Sequence, residues 1–225
     1  NPEGCNSDLS QDIQADYTLT EKCSPYTLSR DLSIEVTLTI EPGVELRAKD
    51  NSALSIGYGA RAKLVARGTA EKPIRFVAEH KEPGSWVGVR VFSQASGSTL
   101  ENVVIEHDGT PDLPALMIEG PEATLKNVKL VAVKHQALKV SAETTKEISG
   151  LDLKEAGGDA DALVETTLQS ASAFGAGNVY PENAVISLRG TADRDVKLTA
   201  QGAPWRIFGD IAMNAPEGKT ATLTI

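Results

Sequence analysis

The sequence predicts an all-β protein, a right-handed single-stranded parallel β-helix, on three observations. A β-type phrase recurs about every 25 residues, as Thr99-Leu100-Glu101-Asn102-Val103-Val104-Ile105, then Thr124-Leu125-Lys126-Asn127-Val128-Lys129-Leu130, and more weakly Glu147-Ile148-Ser149-Gly150-Leu151-Asp152-Leu153. A second phrase keeps step with it through Gly88-Val89-Arg90-Val91, Ala115-Leu116-Met117-Ile118, Ala137-Leu138-Lys139-Val140 and Ala162-Leu163-Val164. Two short strand-forming segments that share one period mark stacked coils, each burying its apolar side chains against its neighbours. Finally, no window of helical length carries a 3.6-residue period, and only residues 169–174 suggest a single helical turn.

The elements follow in chain order. Residues 1–25 are polar, contain the two cysteines Cys5 and Cys23, and read as an N-terminal cap. A solenoid end exposes apolar core and open strand edges, so it needs such a cover. A disulfide between Cys5 and Cys23 would staple the cap with a gain of roughly 3 kcal/mol. It would also place the protein in an oxidising setting: secreted, periplasmic or on a cell surface. Two cysteines alone make a poor structural metal site, which wants four ligands.

Residues 26–190 read as the β-helix proper. Alternating apolar residues run from Tyr26 through Ile40, and Pro42-Gly43 turns a corner. Short strands follow at 53–56, 62–66 and 74–77, and Pro83-Gly84-Ser85-Trp86 forms another corner before 87–92. The inward set is expected to include Leu100, Val104, Leu116, Ile118, Leu125, Val128, Leu138 and Val140. Asn102 and Asn127 share the fourth position of the repeated phrase, where a coil bends, and are expected to stack and hydrogen-bond along the helix. Residues 191–225 echo the opening: Ala15-Asp16, Pro25-Tyr26-Thr27-Leu28, Asp31-Leu32-Ser33-Ile34 and Thr37-Leu38-Thr39-Ile40 return as Ala192-Asp193, Pro204-Trp205-Arg206-Ile207, Asp210-Ile211-Ala212-Met213 and Thr222-Leu223-Thr224-Ile225. They read as the start of a second copy of the opening module, cut short, whose last strand invites contacts with another molecule.

Several of these runs resemble bacterial secreted and surface proteins with right-handed parallel β-helix, pectate-lyase-like repeats. The runs are 25–44, Gly68-Thr69-Ala70-Glu71-Lys72-Pro73-Ile74-Arg75-Phe76, Pro83-Gly84-Ser85-Trp86-Val87-Gly88, and 98–106. The likeness covers about 26–142 well and the rest loosely. It implies architecture and an extracellular location more than chemistry. Enzymes of this general shape act on acidic polysaccharides, using a row of carboxylates that often holds Ca²⁺, or paired carboxylates for glycoside hydrolysis.

The chain has a net charge of -9, so nucleic acid and anionic lipid are unfavourable partners. No apolar stretch is long enough to span a membrane as a helix. The best polar row lies in the turn after the repeated phrase, with Glu106, His107, Asp108 and Asp112 in one coil, Lys134 and His135 in the next, and Glu155, Asp159 and Asp161 in a third. Stacking would set these within roughly 10 Å along one face. A histidine beside carboxylates suits general base work or metal binding; a solvated loop row is the plainer account. Glu106, His107, Asp108, His135 and Asp159 are therefore the catalytic candidates. Arg61 and Lys63 belong to a basic cluster with Arg47, Lys49 and Arg67 that suits an anionic sugar or, more plainly, balances Glu45 and Asp50 on the solvent face. Trp86 is a candidate stacking platform or, from its corner position, a ring packed over a coil. Gly157-Gly158-Asp159-Ala160-Asp161 faintly echoes calcium-binding repeats, so Ca²⁺ is the one cofactor considered.

The sequence thus favours a non-catalytic secreted or cell-surface scaffold or adhesion segment, with an extracellular glycan or another surface protein as partner. The alternative is a polysaccharide lyase or glycoside hydrolase acting on an acidic polysaccharide.

Overall fold

The chain folds as a parallel β-solenoid in a computed structural model that describes residues 4–11, 13–110, 112–159 and 161–225. The first coil consists of β1 (Tyr17–Leu19), β2 (Tyr26–Leu28) and β3 (Leu32–Ile34). The second has β4 (Thr37–Ile40), β5 (Glu45–Ala48) and β6 (Ala53–Ile56). The third has β7 (Lys63–Arg67), β8 (Ile74–Ala78) and β9 (Gly88–Val91). In the next two coils the strands of the first two faces fuse. They are β10 (Thr99–Glu106) with β11 (Leu116–Ile118), and β12 (Ala123–Val131) with β13 (Leu138–Val140). The sixth coil has β14 (Thr145–Ser149) and β15 (Val164–Thr167). A 3-10 turn at Leu168–Ala173 opens the seventh, ahead of β16 (Ile186–Ala192). Last come β17 (Val196–Lys197), β18 (Trp205–Met213) and β19 (Leu223–Thr224).

Each strand pairs in parallel with its equivalent one coil away, so three faces build up. The third face runs through eight strands, from β3 to β18. The two phrases are in the expected register: Leu100 sits opposite Leu125, Leu125 opposite Ile148, Val89 opposite Leu116 and Leu116 opposite Leu138. The last copy of the second phrase is displaced by one residue, since Leu138 faces Val164 rather than Leu163.

The corner between the first and second faces explains one correction. Asn102 and Asn127 take left-handed conformations, with φ of 49° and 52°. Asparagine tolerates that region better than most residues, because its short amide bonds locally. The amides ladder as expected: Asn127 Nδ2 donates to Asn102 Oδ1 at 3.1 Å, and Asn102 Nδ2 donates to the Gly68 carbonyl at 3.0 Å. The left-handed residue interrupts the two-residue alternation. Leu100 and Val103 therefore both point inward, and Val104, expected in the core, faces out. The other seven expected core positions are buried.

A continuous core of Leu, Ile and Val fills the coils. Burying each such side chain is worth about 1.5–3 kcal/mol. A smaller second cluster under the last coils contains Leu168, Ala171, Leu188, Ala192 and Val196. At the N-terminal end, Cys5 and Cys23 form a disulfide with a Cα–Cα distance of 5.3 Å. The cap then supplies an edge partner for β2: Thr27 N–H donates to the Ser7 carbonyl at 2.7 Å, and Leu9 N–H to the Thr27 carbonyl at 2.8 Å.

Two local contacts of this opening recur near the C-terminus. Thr20 N–H donates to the Tyr26 hydroxyl at 2.9 Å, and Trp205 Nε1 donates to the Thr199 carbonyl at 2.9 Å, with the same separation of six residues. Asp16 Oδ1 accepts from Thr37 N–H at 2.8 Å, as Asp195 Oδ1 does from Thr222 N–H at 2.8 Å. The counterpart of Asp16 is thus Asp195, not the expected Asp193, which instead pairs with Arg194 and Gln169.

Candidate functional site

The turn after the second face does stack its polar residues, and backbone hydrogen bonds hold it in register. Lys134 N–H donates to the Asp108 carbonyl at 2.8 Å, and Val133 N–H donates to the Ala156 carbonyl at 2.6 Å. The side chains, however, leave the row in different directions. Ala160 of the glycine-aspartate run lies outside the described residues.

Glu106 ends β10 and turns onto the second face, where it pairs with Arg75. His107 follows with φ of 61°, and its Nδ1 lies 4.0 Å from Glu106 Oε2. These groups share a groove of about 360 Å³ with Arg47, Glu79 and Lys81. Arg47 is committed to Glu45 at 2.6 Å.

Asp108 is fully buried, and neither carboxylate oxygen has a hydrogen-bond partner. Burial, with the negative charge of Glu106 adding to it, pushes its carboxyl up to about 8. Its own backbone N–H offsets only part of the burial, so the carboxyl keeps its proton.

His135 and Asp159 pair with each other instead, at an exposed position. The hydrogen bond from His135 holds the Asp159 carboxyl below its usual range. His135 borders a different, smaller pocket on the third face, lined by Asp161, Glu165, Arg189, Arg206 and Phe208. The five catalytic candidates are therefore divided among a second-face groove, the interior and a third-face pocket. Among the described residues, no group of three or more His, Cys, Asp or Glu side chains is placed to hold a metal ion.

Trp86 is not a stacking platform. Its ring is completely buried, and its Nε1 donates to the Glu106 carbonyl at 2.9 Å, tying one corner to the next coil. A proline-glycine corner places the ring over the core, where indole area is worth more than in water. Arg61 and Lys63 are exposed and line a groove of about 690 Å³ at the corner between the third and first faces. Asp112, also in the expected row, is exposed, and Glu155 pairs with Lys129 at 3.0 Å.

Two features escaped the reading by sequence. One is an outward row on the third face, in which Arg90, Met117, Lys139, Glu165, Ser187 and Arg206 stand in register. Glu165 joins Lys139 at 3.1 Å and Arg189 at 2.5 Å. Arg90 is half-buried, and that burial lowers its pKa. The third position of the second phrase carried this signal. The other is Tyr58, an exposed ring that meets Phe92 edge-on at 5.0 Å. Its place beside Gly57 and Gly59 hinted at a displayed loop.

Residues 11–105 match the family model described as a pectate-lyase-like beta helix domain. No curated protein and no solved structure matches the chain.

Proposed function

We propose that this chain, with its pectate-lyase-like β-helical coils, is a non-catalytic extracellular scaffold or adhesion segment. The observation that carries the reading is the division of the candidate acid-base groups. Glu106 is held by Arg75, His135 by Asp159, and Asp108 is sealed in the interior. A carboxylate pair for glycoside hydrolysis, or an unencumbered base beside a bound cation for elimination, requires groups that converge on one substrate position. The disulfide supports an oxidising compartment. Among the described residues no helix is long and apolar enough to cross a membrane.

The enzyme reading retains one specific support. A buried carboxyl that stays protonated near neutral pH, as Asp108 does, is the form a general acid needs. The test is incubation of the protein with polygalacturonate, alginate and hyaluronan, following unsaturated products and reducing ends. No turnover is the expected result. Turnover that is abolished by Glu106→Ala or His135→Ala in a folded protein would sink the scaffold reading.

A further inference from the structure

We infer that the corner groove between the third and first faces binds a linear, uncharged polysaccharide, with Tyr58 as its aromatic platform. The inference rests on the scaffold reading only in expecting binding without turnover.

The groove gathers one polar group or more from each of several successive coils. Asp16 comes from the turn before β1, Glu35 from the turn before β4, Arg61 and Lys63 from the turn and start of β7, and Gln94 from the turn after β9. Adjacent coils lie about 4.8 Å apart, so this ladder extends over roughly 15 Å along the helix axis. A polymer of hexoses repeats at a similar interval, so a chain laid along the axis meets a polar group at each sugar.

The chemistry is that of hydroxyl recognition. The two carboxylates are fixed by backbone donors: Asp16 accepts from Thr37 N–H at 2.8 Å and Glu35 from Gly59 N–H at 3.1 Å. Each retains lone pairs for sugar hydroxyls. Among the described residues, Arg61 and Lys63 form no ion pair and no side-chain hydrogen bond, so their donors stand open. Gln94 offers both a donor and an acceptor. Its own carbonyl accepts from Ala62 N–H at 3.3 Å, which locks two walls together.

Tyr58 lies on the loop that leads into Arg61. Its side chain is 72% exposed, yet it is steadied by Phe92, whose neighbours Ser93 and Gln94 line the groove. The edge contact with Phe92 holds the exposed ring in place, and an aromatic face is a common partner of a pyranose. The charge balance selects an uncharged polymer. Two cations face two carboxylates in the groove, and the chain as a whole carries -9. That field repels a polyanion.

The test is isothermal titration of the protein with soluble β-1,4-linked gluco-, xylo- and manno-oligosaccharides, alongside oligogalacturonate, with reducing ends assayed in the same samples. At least one neutral oligosaccharide should bind, and oligogalacturonate should bind more weakly. Tyr58→Ala, and separately Arg61→Ala with Lys63→Ala, should each weaken binding about tenfold, while Tyr58→Phe keeps it. These side chains are exposed, so the variants fold. Failure of every neutral oligosaccharide to bind, stronger binding of oligogalacturonate, or binding indifferent to Tyr58→Ala would overturn the inference. Release of reducing ends unaffected by the groove variants would instead overturn the scaffold reading and leave the groove standing.

Discussion

The opening stretch, around residues 16–40, and the closing stretch, 191–225, share a sequence pattern and two local contacts, yet differ in burial. In the first, Tyr26, Leu28, Leu32 and Ile34 are all buried. In the second, Trp205 is half-buried, while Ile207 and Phe208 are 58% and 52% exposed. The strands differ as well. β2 and β3 are separate and pair with β5 and β6 on two faces, whereas β18 runs unbroken against β16 with a register shift near Leu188. The same apolar phrase therefore gains its burial from what lies on either side of it. The first copy is held between the disulfide-closed cap and the second coil; the second copy has β16 on one side.

The strongest way to break this comparison is to truncate the paired rings. Tyr26→Ala should cost about 3–5 kcal/mol, as for a fully buried aromatic, and Trp205→Ala about 1–2 kcal/mol. Urea unfolding of the two variants measures both, and equal losses would show that position in the stack does not govern the value of the ring. Next, reduction of Cys5–Cys23, or Cys5→Ser with Cys23→Ser, should cost about 3 kcal/mol. Hydrogen exchange should then speed up first at the amides of Thr27 and Leu9, which bond across the cap, making the opening stretch behave like the closing one. Unchanged exchange there would detach the cap from the comparison.

Asp108 supplies an internal reference for burial without compensation. Its folded pKa lies at about 8 against an ordinary 3.8. The folded state therefore binds the proton more tightly than the unfolded chain. Stability conferred by the protonated acid is complete below about pH 4 and falls as pH rises through 8. The loss should be on the order of 2 kcal/mol, since relaxation and water offset part of the desolvation penalty. Asp108→Asn should flatten that part of the stability–pH profile, and a profile unchanged by the substitution would show that Asp108 is not its source. The smallest effect is expected at the exposed end. Phe208→Ser should change stability by no more than about 0.5 kcal/mol. A larger loss, read from the urea midpoint, would reveal that β18 is covered in solution and would erase the contrast.

Much of the core was legible because stacking repeats it. Leu100, Leu125 and Ile148 recur at one place in a phrase, and a ladder of parallel strands must set them over one another. Val104 was not legible. Its direction depends on the φ of Asn102, and a left-handed residue shifts every later side chain by one step. Trp86 was half legible: its corner position suggested a ring packed over a coil as well as a sugar platform, and the choice depended on the space above the core and on the Glu106 carbonyl that accepts its N–H.

The candidate site divides in the same way. The sequence by itself determined that Glu106, Asp108, His135 and Asp159 share one turn of successive coils, because the period sets main-chain register. It also marked Arg61 and Lys63 as neighbours on an early coil. Only the tertiary structure decided that one carboxyl meets Arg75, one is sealed inside and one is held by a histidine, and that Tyr58 meets Phe92 edge-on. The physical reason is that a repeat specifies backbone hydrogen bonds, which are periodic. Side-chain direction in the turns answers to loop length, left-handed residues and the charges of adjacent coils, and these are not.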